Sequence, residues 1–137
     1  MQHDGTTFTW PNAPAGQPNN VATAGQIISF SGSGSSLAFV GSGTFGIQSG
    51  IATVTYTDGS TQQLNLSLAD WYANSAASGG DIVATSANWN TPPGSTLGSH
   101  AVSIYYTAVP LQSGKTIRYV TLPTDNNMHL FAMTIVH

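Results

Sequence analysis

Apolar and polar residues alternate along most of this chain with a period of two, and no stretch sustains a helical period. The clearest case is residues 51–57 (IATVTYT), where Ala52, Val54 and Tyr56 alternate with Thr53, Thr55 and Thr57. Successive side chains of a strand point to opposite faces, so this pattern predicts a strand with one buried face. Residues 62–68 (QQLNLSL) set Leu64, Leu66 and Leu68 on one face in the same way. Asp58-Gly59 lies between the two runs, and glycine takes the positive φ of a tight turn at little steric cost. A hairpin over residues 51–68 follows.

Residues 101–108 repeat the pattern, with Val102, Ile104, Tyr106 and Ala108 predicted to face the core and Ser103, Tyr105 and Thr107 opposite. Further strands are predicted at 6–10, 26–30, 36–40, 81–85, 117–122 and 128–136, each a short run bounded by turn residues. The prolines fall between these runs, where no ladder donor is lost. Residues 69–77 are the one candidate helical turn, ended by Gly79-Gly80. Nine short strands at this spacing predict an all-β fold, a two-sheet antiparallel β-sandwich of jelly-roll type, as one domain over residues 1–137.

Charge narrows the partners. Only 5% of residues are charged, against about 25% in an average globular chain. The carboxylates are Asp4, Asp58, Asp70, Asp81 and Asp125, the cations Lys115 and Arg118, and the net charge is −3. Two cations do not neutralise a phosphate backbone, so nucleic-acid binding is not expected. The same shortage argues against anionic membranes, and no apolar run approaches the ~20 residues of a spanning helix. The polar surface must come from Ser, Thr, Asn, Gln and Gly, a composition associated with secreted and carbohydrate-active modules. Without cysteine there is neither disulfide nor thiol chemistry. The start, MQHDGTTFTW, has no basic-then-apolar leader, so the chain reads as a module excised from a larger secreted protein.

The tail carries a resemblance. Residues 109–116 (VPLQSGKT) lead into 117–123 (IRYVTLP) and then 128–133 (MHLFAM). This run resembles the closing strands of small β-sandwich modules attached to secreted bacterial glycoside hydrolases, including family 92-type α-mannosidases. The opening FTWPNAPAGQPNNVATAGQ and the middle VTYTDGSTQQLNLSLADW are similar to them as well. The resemblance implies a sandwich fold, an extracellular setting, a glycosidase domain in the same chain, and a non-catalytic role. The chain departs from these modules at Asn88-Trp89-Asn90, which singles out Trp89.

The residues offer little catalytic chemistry. Glycoside hydrolysis usually needs two carboxylates flanking one bond. Asp58 is explained by its turn and Asp125 by a loop, leaving only Asp70 and Asp81. The Gly-Ser stretches lack the elbow or paired base of a serine nucleophile. His3, His100, His129 and His137 form no pair at zinc spacing, and His129 reads as structural. A structural calcium stays open on this sequence, with oxygens from Asp4, Asp125, Asn126 and Asn127.

Aromatic rings remain. Sugars present C–H-rich faces on which flat rings stack, while amides and carboxylates bond the hydroxyls. Trp89, between two asparagines, is the expected exposed platform, with Trp71, Tyr72 and Tyr105 as further rings and Asn88, Asn90, Asp70 and Asp81 as polar partners. Trp10 is expected to belong to the core or to a lid over it. The expectation is a non-catalytic carbohydrate-binding module for a polysaccharide or oligosaccharide. The alternative is a spacer sandwich that packs on a catalytic domain and binds no sugar.

Overall fold

A computed structural model describes residues 1–14, 16–75, 80–89 and 98–137. The strands are β1 (Gln2–His3), β2 (Thr6–Thr7), β3 (Val21–Ala24), β4 (Ile27–Gly32), β5 (Ser36–Gly43), β6 (Gln48–Tyr56), β7 (Thr61–Leu68), β8 (Asp81–Ser86), β9 (Val102–Pro110), β10 (Ile117–Thr121) and β11 (Thr124–Val136). They form a four-stranded sheet ordered β4-β10-β6-β7, a five-stranded sheet ordered β3-β11-β5-β9-β8, and the small pair β1-β2. Every strand pairing is antiparallel. Both larger sheets are open, with β4 and β7 at the edges of one and β3 and β8 at the edges of the other. The two-sheet antiparallel sandwich expected from the alternation is present.

The predicted hairpin forms as β6 and β7, with Val54 opposite Gln62 and Thr55 opposite Thr61. Gly59 takes a φ of 84° at the turn. The Asp58 carboxylate accepts hydrogen bonds from the Ser60 N–H at 2.9 Å and the Ser60 hydroxyl at 2.6 Å, and Lys115 Nζ lies 3.0 Å away. The Ser60 hydroxyl first, then its N–H and Lys115, hold the Asp58 carboxyl down at about 2, below its ordinary 3.8.

The inter-sheet core is built from the alternating sets. Ala52, Val54 and Tyr56 of β6 and Leu64, Leu66 and Leu68 of β7 meet Leu37 and Phe39 of β5 and Met128 and Leu130 of β11. A second apolar cluster lies on the opposite face of the five-stranded sheet. There Ala38 and Val40 of β5 join Phe8, with Val83, Ile104, Tyr106 and Phe131 packed around them. The N-terminal segment covers this part of the outer face: Phe8 meets the Tyr106 ring edge-on at 6.0 Å, and Trp10 stacks on Phe131 at 5.2 Å. Trp10, 37% exposed, is thus a lid residue.

This second cover corrects the expected facing of β9. Tyr105 is fully buried in the inter-sheet core, and its neighbour Ser103 is buried too, whereas Ile104 and Tyr106 face the outer cluster. Alternation alone separates two faces without saying which one meets the second sheet, and here both carry apolar groups. β1 and β3 are strands the pattern did not indicate, because two and four residues hold too little alternation to read. Among the described residues no helix forms at 69–75. Residues 71–73 make a turn closed by the Ala73 N–H on the Asp70 carbonyl at 3.1 Å, and Ala76 and Ala77 lie outside the described residues.

Gly41 marks the tightest interior approach. A Cβ there would stand 2.4 Å from the His129 carbonyl oxygen and 2.7 Å from Leu68 Cδ1. Gly41→Ala should therefore destabilise the fold by about 1–3 kcal/mol, read as a lower urea midpoint at unchanged m-value. The turn makes a pH-dependent contribution. A folded pKa below the unfolded one stabilises above about pH 4 and ceases to do so as pH falls through about 2. The stability difference between the native chain and Asp58→Asn should be greatest above pH 4 and close toward pH 2 in urea titrations.

Candidate functional site

Among the described residues the outer face of the five-stranded sheet is only partly covered, and a groove of about 440 Å³ opens beside the N-terminal segment. Its floor and walls include Ile104 and Val102 of β9, Ala84 of β8, Ser42 of β5 and Phe131 of β11. Trp71 stands at its margin. Asn20 and His129 also line it, and His129 Nδ1 lies 2.9 Å from Asn20 Oδ1. Among the described residues no Asp, Glu, Lys or Arg side chain lines the groove.

Trp71 is set by backbone bonds on both sides. Its N–H donates to the Gly43 carbonyl at 3.0 Å, and its carbonyl accepts from the Ser103 N–H at 2.8 Å. The preceding Asp70 carboxylate organises the turn, accepting from the Gly46 N–H and, at 2.8 Å, from the Tyr72 N–H. Asn74, at φ 50°, ties the turn to β9: its amide donates to the Ala101 carbonyl at 2.6 Å, and its oxygen accepts from the Ser103 hydroxyl at 2.7 Å. The turn is thus fixed by polar side chains that bond main chain, which explains why it carries no apolar periodicity.

An aromatic cluster continues outward from Trp71. Trp89 meets Trp71 edge-on at 5.7 Å and 89°, and Tyr72 meets it at 6.0 Å and 62°. Tyr72, 47% exposed, stacks on His100 at 3.7 Å, and its carbonyl lies 2.7 Å from His100 Nε2. Trp89 is half-buried rather than a free platform. Its ring lies over Gly98, where a Cβ would come within 1.9 Å of the indole nitrogen. The Trp89 main-chain N–H donates to the Gly98 carbonyl at 3.3 Å.

The expected site residues therefore divide. Trp71, Tyr72, Trp89 and Asp70 are brought together, and Asn88 adjoins them as an exposed neighbour whose carbonyl accepts from the Ser86 hydroxyl at 2.6 Å. Asn90 lies outside the described residues. Tyr105 is not a surface ring. It supports the turn from below, its hydroxyl donating to the Asp70 carbonyl at 3.0 Å, and burial pushes its phenol above the ordinary value. Asp81 stands instead with His3 and Asp4, a cluster capable of coordinating a metal ion. Of the oxygens considered for calcium, Asp4 belongs to that cluster, while the Asp125 carboxylate accepts from the Asn127 N–H of its own turn at 3.0 Å.

Sequence reasoning missed the groove itself. Ser42, Ile104, His129 and Phe131 come from three strands and converge only through the register that sets Ser42 opposite His129. The available signal was that 36–40 is apolar at every position after Ser36, as expected of a strand buried on both faces.

An antiparallel β-sandwich with an exposed aromatic cluster beside an uncharged groove is consistent with a sugar-binding surface. The chain belongs to the AziU2-like beta-sandwich domain family, which it matches over residues 1–137. No curated protein matches it in sequence. Among the described residues no helix is long and apolar enough to cross a membrane.

Asp70→Ala removes the acceptor for two N–H groups at the turn. It should cost about 1–3 kcal/mol in urea unfolding and shift tryptophan emission by releasing Trp71.

Proposed function

We propose that the protein is a non-catalytic module that binds a neutral glycan in the groove beside Trp71. The observation that carries this reading is a groove of about 440 Å³, free of carboxylate and cationic side chains among the described residues and lined by Trp71 and Phe131. Its size falls within the roughly 300–1,000 Å³ of small-ligand sites. Pyranose C–H faces are apolar enough to rest on such rings, while Ser42, Asn20 and His129 offer hydrogen-bonding atoms to the hydroxyls. A charged sugar would find no counter-ion there, which favours neutral residues. Few rings and wet hydrogen bonds give weak binding, with dissociation constants in roughly the micromolar to millimolar range.

The strand order, in which most connections pass from one sheet to the other, supports a jelly-roll reading of the sandwich. The composition supports an extracellular setting, and the tail resemblance a glycosidase neighbour. The spacer reading is favoured by a different observation: Phe45 is 91% exposed and Ile27 67%, apolar groups of the kind that domain packing covers.

Calorimetric and fluorescence titration against neutral plant, fungal and bacterial glycans separates the two readings. Binding should appear at millimolar sugar or below, and Trp71→Ala should weaken it at least tenfold with circular dichroism unchanged. Silence across the panel would leave the spacer reading standing.

A further inference from the structure

The hairpin at the chain start gathers an imidazole and two carboxylates that the glycan reading does not use. Asp4-Gly5 joins β1 to β2, with His3 opposite Thr6, and both turn residues take positive φ, 46° and 73°. This is the two-residue hairpin geometry that Asp-Gly favours. Asp81 opens edge strand β8 in another part of the sequence. The His3 ring packs against Tyr106, the residue paired with Asp81 across the sheet, at 4.7 Å. One donor atom from each of His3, Asp4 and Asp81 lies within 4.8 Å of the others.

The imidazole makes this more than two surface acids. His3 Nε2 is shut off from solvent and has no hydrogen-bond partner among the described residues. It faces an Asp4 oxygen at 3.7 Å and an Asp81 oxygen at 4.0 Å. Both separations exceed hydrogen-bond length, so a protonated ring makes no bond to either carboxylate. A neutral ring with its lone pair on Nε2 would point that pair at two anions. Among the described residues neither carboxylate is paired with Lys or Arg, and Lys115 is engaged at Asp58. A cation between the three atoms resolves all of this.

We infer that His3, Asp4 and Asp81 form a site for a divalent first-row transition ion such as zinc, which ties the N-terminal hairpin to β8. Zinc sits about 2.0–2.2 Å from imidazole nitrogen and carboxylate oxygen. Two donors of a tetrahedral ion therefore lie about 3.3–3.6 Å apart. The imidazole–carboxylate separations of 3.7 and 4.0 Å are somewhat longer, and rotation of the two exposed carboxylates closes them around an ion. The nitrogen donor favours zinc over calcium or magnesium, which prefer all-oxygen shells. Three protein ligands leave positions for water, as expected where Asp4 and Asp81 face solvent.

The test is zinc titration of chelator-treated protein, followed by calorimetry and thermal unfolding, with calcium in parallel and cobalt as the spectroscopic probe. One saturable equivalent is expected, with visible cobalt absorption. The melting temperature should rise by roughly 5–10 °C at a hundredfold excess over Kd. Asp81→Asn and His3→Gln should each weaken zinc binding at least tenfold, with circular dichroism unchanged, while His137→Gln should leave it intact. Uptake unaltered by the first two substitutions would place the ion on other histidines and overturn the assignment. Absence of saturable zinc binding, or a response to calcium alone, would overturn it as well. The outcome is independent of glycan binding, which the groove variant reads separately.

Discussion

In β5, Leu37, Ala38, Phe39 and Val40 follow one another, and all four are fully buried. A strand buried on both sides needs two apolar covers, and the rest of the molecule is arranged around that requirement. The four-stranded sheet covers the side of Leu37 and Phe39, and the N-terminal segment, through Phe8, covers the side of Ala38 and Val40. Beyond Trp10 and Phe131 the outer face is open among the described residues, and that opening is the groove. Among the described residues the candidate site is thus the uncovered remainder of a second core, which explains why Val102, Ile104 and Phe131 line it beside polar groups.

The scarcity of charge shapes how this region is held. Where many proteins would use ion pairs, the margin of the groove is organised by Asp70, Asn74 and Ser103 bonding main chain or one another. Such bonds are short-ranged and directional, so they fix a turn without projecting a field across the surface. Tyr105 links this turn to the inter-sheet core through its hydroxyl on the Asp70 carbonyl. Trp71 in turn belongs both to the groove wall and to the aromatic cluster with Tyr72 and Trp89. Packing of the core and placement of the surface rings are therefore coupled through a few residues of one loop.

Part of the candidate site was legible before any fold was known. Trp71, Tyr72, Trp89 and Asp70 stand out in sequence as large or charged groups among small polar ones, and they do assemble. Two expectations failed for physical reasons. The alternation places Tyr105 outward because its neighbours Ile104 and Tyr106 are apolar, but those neighbours meet the N-terminal segment and not the second sheet. Asp81 is expected as a polar partner of the rings, yet antiparallel pairing sets it beside Tyr106 and so beside His3.

The period-two alternation, the Asp58-Gly59 turn and the near absence of ionic side chains sufficed to determine an antiparallel sandwich with a sparsely charged surface, because these depend on neighbours a few residues apart. Which face of β9 meets the second sheet, where the N-terminal segment lies, and that Ser42, His129 and Phe131 share a groove were decided by tertiary structure alone. Those outcomes rest on contacts between residues far apart in the chain. A strand's alternation distinguishes its two sides but says nothing of what will cover each of them.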